Sequence, residues 1–180
     1  MSDTKKEKFV RKVSYSQYSS WKKCPFSWYL TRVKKASKFE GNISTIFGSG
    51  MHDTLQMYVN YLYSNGASAA DALDLDNVLL ERMKFHFNDV KKKSNGNIPA
   101  SKHEMVDHYG DGLNIIRWFK KHRREYFNSR SHELVGIELP LELELMDGVN
   151  FIAYLDVVIK EKATGIYTII DFKTSTRGWR

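Results

Sequence analysis

Apolar residues recur at helical spacing through the first two thirds of the chain, and from residue 133 the period changes to two. Phe47, Met51, Leu55, Tyr58 and Leu62 form one stripe. It predicts a helix from about Thr45 to Ser64, stopped by Asn65-Gly66. Leu75, Leu79, Met83, Phe87 and Val90 give the core face of a helical stretch over 68–93, broken near Leu73–Asp76. Ser101-Lys-His-Glu104 spells a capping box and opens a long helix to about Asn128. Val106, Tyr109, Leu113, Ile116 and Phe119 face inward along it. Nearer the N-terminus, Ser14-Tyr-Ser-Gln17 opens a short helix with Tyr18 and Trp21 on its buried face. Pro25 suits the first turn of another, with Phe26, Tyr29, Leu30 and Val33 inward. The helical spacing of these aromatics favours core packing over base stacking.

Beyond residue 133, Leu139, Leu141, Leu143 and Leu145 alternate with Glu138, Glu142 and Glu144, and Asp147-Gly148 is a hairpin turn. Two further runs rich in β-branched and aromatic residues flank the polar stretch Glu161–Gly165. Three antiparallel strands follow, at about 133–146, 149–161 and 166–173. The pattern predicts an α/β fold in a single domain over 14–180: helices over 14–130, a three-stranded antiparallel sheet over 133–173, and a basic flexible lead-in over 1–13.

The last hairpin holds two aspartates where strands are normally apolar. A turn centred between Ala163 and Thr164 sets Asp156 opposite Asp171, with Cβ atoms about 5 Å apart. Lys173 shares a face with Asp171 because strand side chains alternate. Opposed like charges are destabilising unless a cation lies between them, and a divalent ion with oxygen ligands is the natural candidate. Two exposed carboxylates on an edge strand are the plainer alternative. The apolar neighbours on both faces argue against it. Such a pair can hold Mg²⁺ or Mn²⁺ at a phosphodiester, where the metal polarises the phosphoryl oxygen and activates water. Lys173 can orient that water or steady charge on the phosphate. Glu138 is a further acid, but a regular register turns it to the opposite face from Asp156. A β-bulge in its strand would correct this.

Composition narrows the partner. A net charge of +7 and a pI near 9.3 favour a polyanion. Arg117, Lys120, Lys121, Arg123 and Arg124 crowd the end of the long helix, where they complement its dipole or hold phosphates. Lys120, Lys121, Arg123, Arg124 and Arg177 are the candidate DNA contacts. Forty-two per cent apolar residues argue against disorder. No run is long enough for a membrane span, and the N-terminus lacks a signal-peptide pattern. The lone Cys24 forbids an internal disulfide and fits a reducing, cytoplasmic setting. It reads most simply as a small buried residue. His52 lies on the flank of its helix's stripe, as a boundary residue or a ligand. Gly48 and Gly50 beside it are tolerable if another backbone or a ligand comes close.

These residues resemble the PD-(D/E)XK nuclease superfamily, and within it the RecB-like exonuclease branch. Ser14-Tyr-Ser-Gln-Tyr-Ser-Ser-Trp-Lys-Lys-Cys24-Pro25 is similar to that branch's early S-x-S…CP segment, and Gly48-Ser-Gly-Met-His52 to its G-x-x-x-H helix. Glu138, Ala153-Tyr-Leu-Asp156 and Asp171-Phe-Lys-Thr174 match its glutamate, G-x-x-D and D-x-K-T strands, with Ala153 in place of glycine. The resemblance implies a restriction-endonuclease-like core. It implies metal ligation by His52, Asp156, Asp171 and the backbone carbonyl of Phe172, with Lys173 as catalytic lysine. It implies a Mg²⁺- or Mn²⁺-dependent DNase acting in recombination, repair or phage DNA processing, beside a helicase, recombination or other DNA-processing protein. The branch continues past the lysine strand into a closing helix and strand, whereas this sequence stops at Arg180. A shortened form or fragment is therefore expected, with a non-catalytic DNA- or protein-binding module as the alternative function. Some relatives hold an iron–sulfur cluster with four cysteines. With Cys24 alone, no such cluster is expected within this chain.

Overall fold

The computed structural model describes residues 11–36 and 41–174, so Arg177 lies outside the described residues. In chain order the elements are β1 (Arg11–Ser14), α1 (Tyr15–Lys23), α2 (Pro25–Trp28) running into a π-helical turn (Tyr29–Val33), α3 (Ile43–Asn65), α4 (Ala67–Asp71), α5 (Leu75–Lys93), α6 (Lys102–Tyr126), β2 (His132–Met146), β3 (Val149–Glu161) and β4 (Tyr167–Ile170). The strands form one mixed sheet in the order β1-β3-β2, with β4 also paired to β3. The chain divides into two compact units, Met1–Lys38 with Glu138–Leu155, and Phe39–Ile137 with Asp156–Arg180.

The second, larger unit holds the core. The stripe on α3 is buried as its spacing requires: Phe47, Met51, Leu55, Tyr58 and Leu62 are all under 5 % exposed. Leu75, Leu79, Met83 and Val90 of α5 and Ile116 and Phe119 of α6 close on it, and Val157 and Ile159 of β3 join the same cluster. Two glycines set how closely these helices approach. A Cβ at Gly50 would lie 3.0 Å from Met83 Cγ and 3.4 Å from its backbone nitrogen, so α5 runs directly against α3 there. A Cβ at Gly112 would lie 2.4 Å from Leu79 Cδ2. Val106, expected on the inner face of α6, is 59 % exposed, and its neighbour Met105 packs against the core instead. The reciprocal cap of Ser101 and Glu104 is present as spelled, and its hydrogen bonds hold the Glu104 carboxyl below the usual range.

A polar network ties α4 to its neighbours. Tyr58 Oη donates to Asp71 Oδ1 at 2.6 Å, and the buried Arg123 guanidinium meets Asp71 Oδ2 at 2.5 Å. Burial and the Asp71 bond push the Tyr58 hydroxyl far above its ordinary pKa. The predicted break after this helix is real: α4 ends at Asp71 and α5 starts at Leu75, capped by Asp74.

The smaller unit departs further from expectation. Residues 11–14 form β1, parallel to β3 in the register Arg11↔Val149 to Ser14↔Ile152. Among the described residues four strands, with β1 and β3 parallel, stand where three antiparallel ones are expected. Four residues of mixed polarity carry too little periodicity to announce a strand. Ser14 caps α1 by accepting the Gln17 amide, as its motif predicts. Yet Tyr18, Trp21, Phe26, Tyr29 and Val33 are 39–67 % exposed, not inward. Periodicity assigned them to common faces; it could not say whether anything covers those faces. Cys24 is exposed rather than buried, and its Sγ accepts the Ser27 amide at the start of α2.

Gly112→Ala should lower stability by about 1–3 kcal/mol through overpacking against Leu79, measured by chemical denaturation. Gly110→Ala, with open space at its Cβ, should instead gain about 0.5–1 kcal/mol of helix stability. The depressed Glu104 carboxyl stabilises α6 above its unfolded pKa, and that contribution is lost as pH falls through the folded value. Glu104→Gln should therefore flatten the acid limb of the stability profile.

Candidate metal centre

The centre lies in the larger unit, where α3, β3 and the segment after β4 supply its groups. The hairpin register is the expected one: Val157↔Ile170, Val158↔Ile169, Ile159↔Thr168 and Lys160↔Tyr167. Continued by one pair, it would set Asp156 against Asp171. The ladder stops first, since β4 ends at Ile170, not at residue 173. Its place is taken by a side chain, as the Phe172 N–H donates to Asp156 Oδ2 at 2.8 Å.

The Phe172 carbonyl is held as well. His52 Nε2 lies 2.5 Å from Phe172 O. At that separation Nε2 donates to the carbonyl, because two lone pairs would repel. In the neutral imidazole Nδ1 is then the bare nitrogen. It faces Asp156 Oδ2 at 3.6 Å, with the two side chains 27 % and 12 % exposed. Two acceptors aimed at one another across that gap suit a cation between them. The donor set of imidazole nitrogen and carboxylate oxygen suits a divalent metal ion. A ligating histidine whose other N–H donates to a backbone carbonyl is the usual orienting arrangement. Here the Phe172 carbonyl thus serves first as the acceptor that orients His52. A carbonyl's second lone pair can still serve a metal.

Asp171 and Lys173 form a second pair. Lys173 Nζ lies 2.6 Å from Asp171, and both side chains are about half exposed. The expected shared face is present. The expected opposition of Asp156 and Asp171 is replaced: Asp156 holds the Phe172 amide and Asp171 holds the lysine. Glu138 belongs to the other unit. It is the residue of β2 with positive φ, at 50°. Just before it the alternation of half-buried and exposed positions slips, with Gly136 and Ile137 both half-buried. That is the local distortion a bulge produces.

The basic helix end divides. Lys121 and Arg124 are exposed and available to an anion. Lys120 Nζ instead donates to the Asp71 and Leu73 carbonyls, each at 3.2 Å. Arg123 is 7 % exposed and committed to Asp71. Its partner lies 52 residues away, and spacing along the helix gives no sign of it. Sequence reasoning also missed His86, which lies 2.9 Å from Asp53, the residue after His52. No helix among the described residues is long and apolar enough to cross a membrane.

The family model of the PD-(D/E)XK nuclease superfamily matches residues 12–180. No curated protein matches the chain. With nearly its whole length matched, the chain belongs to the PD-(D/E)XK nuclease superfamily, which implies metal-dependent phosphodiester hydrolysis of nucleic acid.

Asp156→Asn keeps an oxygen for the Phe172 amide but loses the charge. Calorimetric titration should show Mn²⁺ affinity reduced about 10- to 100-fold, with the fold intact by circular dichroism.

Proposed function

We propose that this member of the PD-(D/E)XK nuclease superfamily is a Mg²⁺-dependent deoxyribonuclease, an exonuclease of the RecB-like kind acting on DNA ends. Its setting in this reading is recombination, repair or phage DNA processing, beside a helicase or another DNA-processing protein. The observation that carries the reading is the facing pair of acceptors, His52 Nδ1 and Asp156 Oδ2, next to the Asp171–Lys173 pair.

His52 and Asp156 would hold the metal, with Asp171 and the Phe172 carbonyl completing the set. When bound, a divalent ion supplies Lewis acidity at the phosphoryl oxygen and a more acidic water. Lys173 carries a positive charge at the position where negative charge grows on the phosphate. Its present partner Asp171 keeps the ammonium at that place while both remain solvent-accessible. If Asp171 turns to the metal, the lysine is released toward the substrate. Asp156 has a double duty: its Oδ2 anchors the Phe172 amide, which fixes the start of the segment that bears Lys173. Exposed Lys121 and Arg124 would contact phosphates without regard to sequence.

Linear, circular and single-stranded DNA should be tested with Mg²⁺, Mn²⁺ or chelator. Linear DNA should be degraded with metal and spared with chelator. Lys173→Ala should reduce the rate about 100-fold or more. Cleavage that survives chelation, or equal cleavage by Lys173→Ala, would overturn the mechanism. Removing Lys121 or Arg124 should weaken DNA binding across all sequences and reduce the salt slope by about 1 each.

A further inference from the structure

Beside the Lys173 segment the larger unit has a cavity of about 680 Å³ that the proposed chemistry leaves unused. Its lining includes Phe47, Trp118, Tyr126 and Phe172, with Lys173 and Thr174 at the same wall. Most of it is aromatic or aliphatic, but it is not a sealed core void. Trp118 is 53 % exposed and Tyr126 49 % exposed. Trp118 is also held in place. Its ring stacks on His122 with centroids 4.6 Å apart and planes 25° from parallel. His122 in turn donates from Nδ1 to the Trp118 carbonyl at 2.8 Å, one turn back along α6.

An exposed, pre-positioned indole lining an apolar cavity next to a half-exposed lysine is a specific combination. Large aromatics left half open in water gain from a flat apolar partner. Two lysines lie close by and suit an anionic partner: Lys173, which lines the cavity together with Asp111 and is paired with Asp171, and Lys121, three residues beyond Trp118 on neighbouring helical positions of α6. A flat apolar group on an anionic backbone is a nucleotide in a single strand. Aromatic platforms beside cations are how single-stranded nucleic acid is bound without sequence preference.

We propose that this cavity receives the unstacked base next to the phosphate held at Lys173, with Trp118 as the positioning residue on which it stacks. This rests on the nuclease reading and deepens it, naming the substrate as a single strand or a frayed end rather than an intact duplex. A base inside a duplex cannot enter such a cavity without leaving its stack, and a single-stranded or frayed base has the least to lose on doing so. Trp118 acts on the substrate's place and touches none of the reacting atoms.

Binding is measured by anisotropy with labelled single-stranded oligodeoxythymidine, the same strand made abasic throughout, and a blunt duplex. The protein is the full chain with Lys173 intact, in Ca²⁺ in place of Mg²⁺ so that no cleavage intervenes. The parent should prefer the strand with bases over the abasic strand. Trp118→Ala should weaken the strand with bases about 5- to 100-fold and collapse that preference, while Trp118→Phe should retain most of it. Equal losses on both strands, or no loss on either, would overturn the proposal and leave the cavity to a protein segment. Cleavage by the wild-type chain in Mg²⁺ is scored separately. Base-dependent binding without any cleavage would sink the nuclease reading alone, and metal-dependent cleavage with base-blind binding would sink the Trp118 assignment alone.

Discussion

The backbone of Phe172 is held by both of its polar groups, and both holders are side chains. Its N–H goes to Asp156 on β3 and its carbonyl to His52 on α3. The residue lies just past β4, where the ladder to β3 has ended and neither group has a strand partner. A half-buried amide and carbonyl must be satisfied somewhere. The same two side chains that satisfy them also face one another as acceptors. The segment's geometry and the centre's electrostatics are therefore one problem with one solution. His52 cannot change tautomer without breaking the Phe172 bond, and Asp156 cannot turn away without freeing its amide.

Much of this was legible in the sequence, for a definite reason. The register of β3 and β4 followed from two apolar runs about a short polar centre, and a one-residue slip would have reversed every face. The stripes on α3 and α5 followed from spacing alone, and the caps at Ser14 and Ser101 from side-chain chemistry. The end of β4 did not follow. Phe172 looks like a strand residue, and only the position of Asp156 shows its amide diverted. Arg123 and Arg124 adjoin in sequence and part in space, since successive helical positions lie about 100° apart. Asp71, which claims the first, belongs to another helix. The aromatics of α1 and α2 mark the opposite limit. Their spacing was read correctly and their exposure was not, because burial depends on what arrives from elsewhere in the chain.

The unit with the smaller share of the chain separates its charge by segment. From Arg11 to Ala36 there are seven lysines and arginines and no acid, while 138–155 carries four acids and no base. Lys12 and Glu142 join the two at 3.0 Å, and that bond with the one from Asn150 lowers the Glu142 carboxyl's pKa.

The glycine contact between α3 and α5 has one more consequence. Gly50 lies two residues before His52, and Met83 rests where its side chain would have been. The depth at which α3 sits against α5 thus sets how far the imidazole extends toward β3. A bulkier residue at either partner would push the helices apart and carry His52 with them, as a lever carries its tip. The site's tolerance to change is in this sense inherited from a packing seam that meets no substrate. A survey of variants scored by activity would place Met83 among the functional residues, and one scored by chemistry would not.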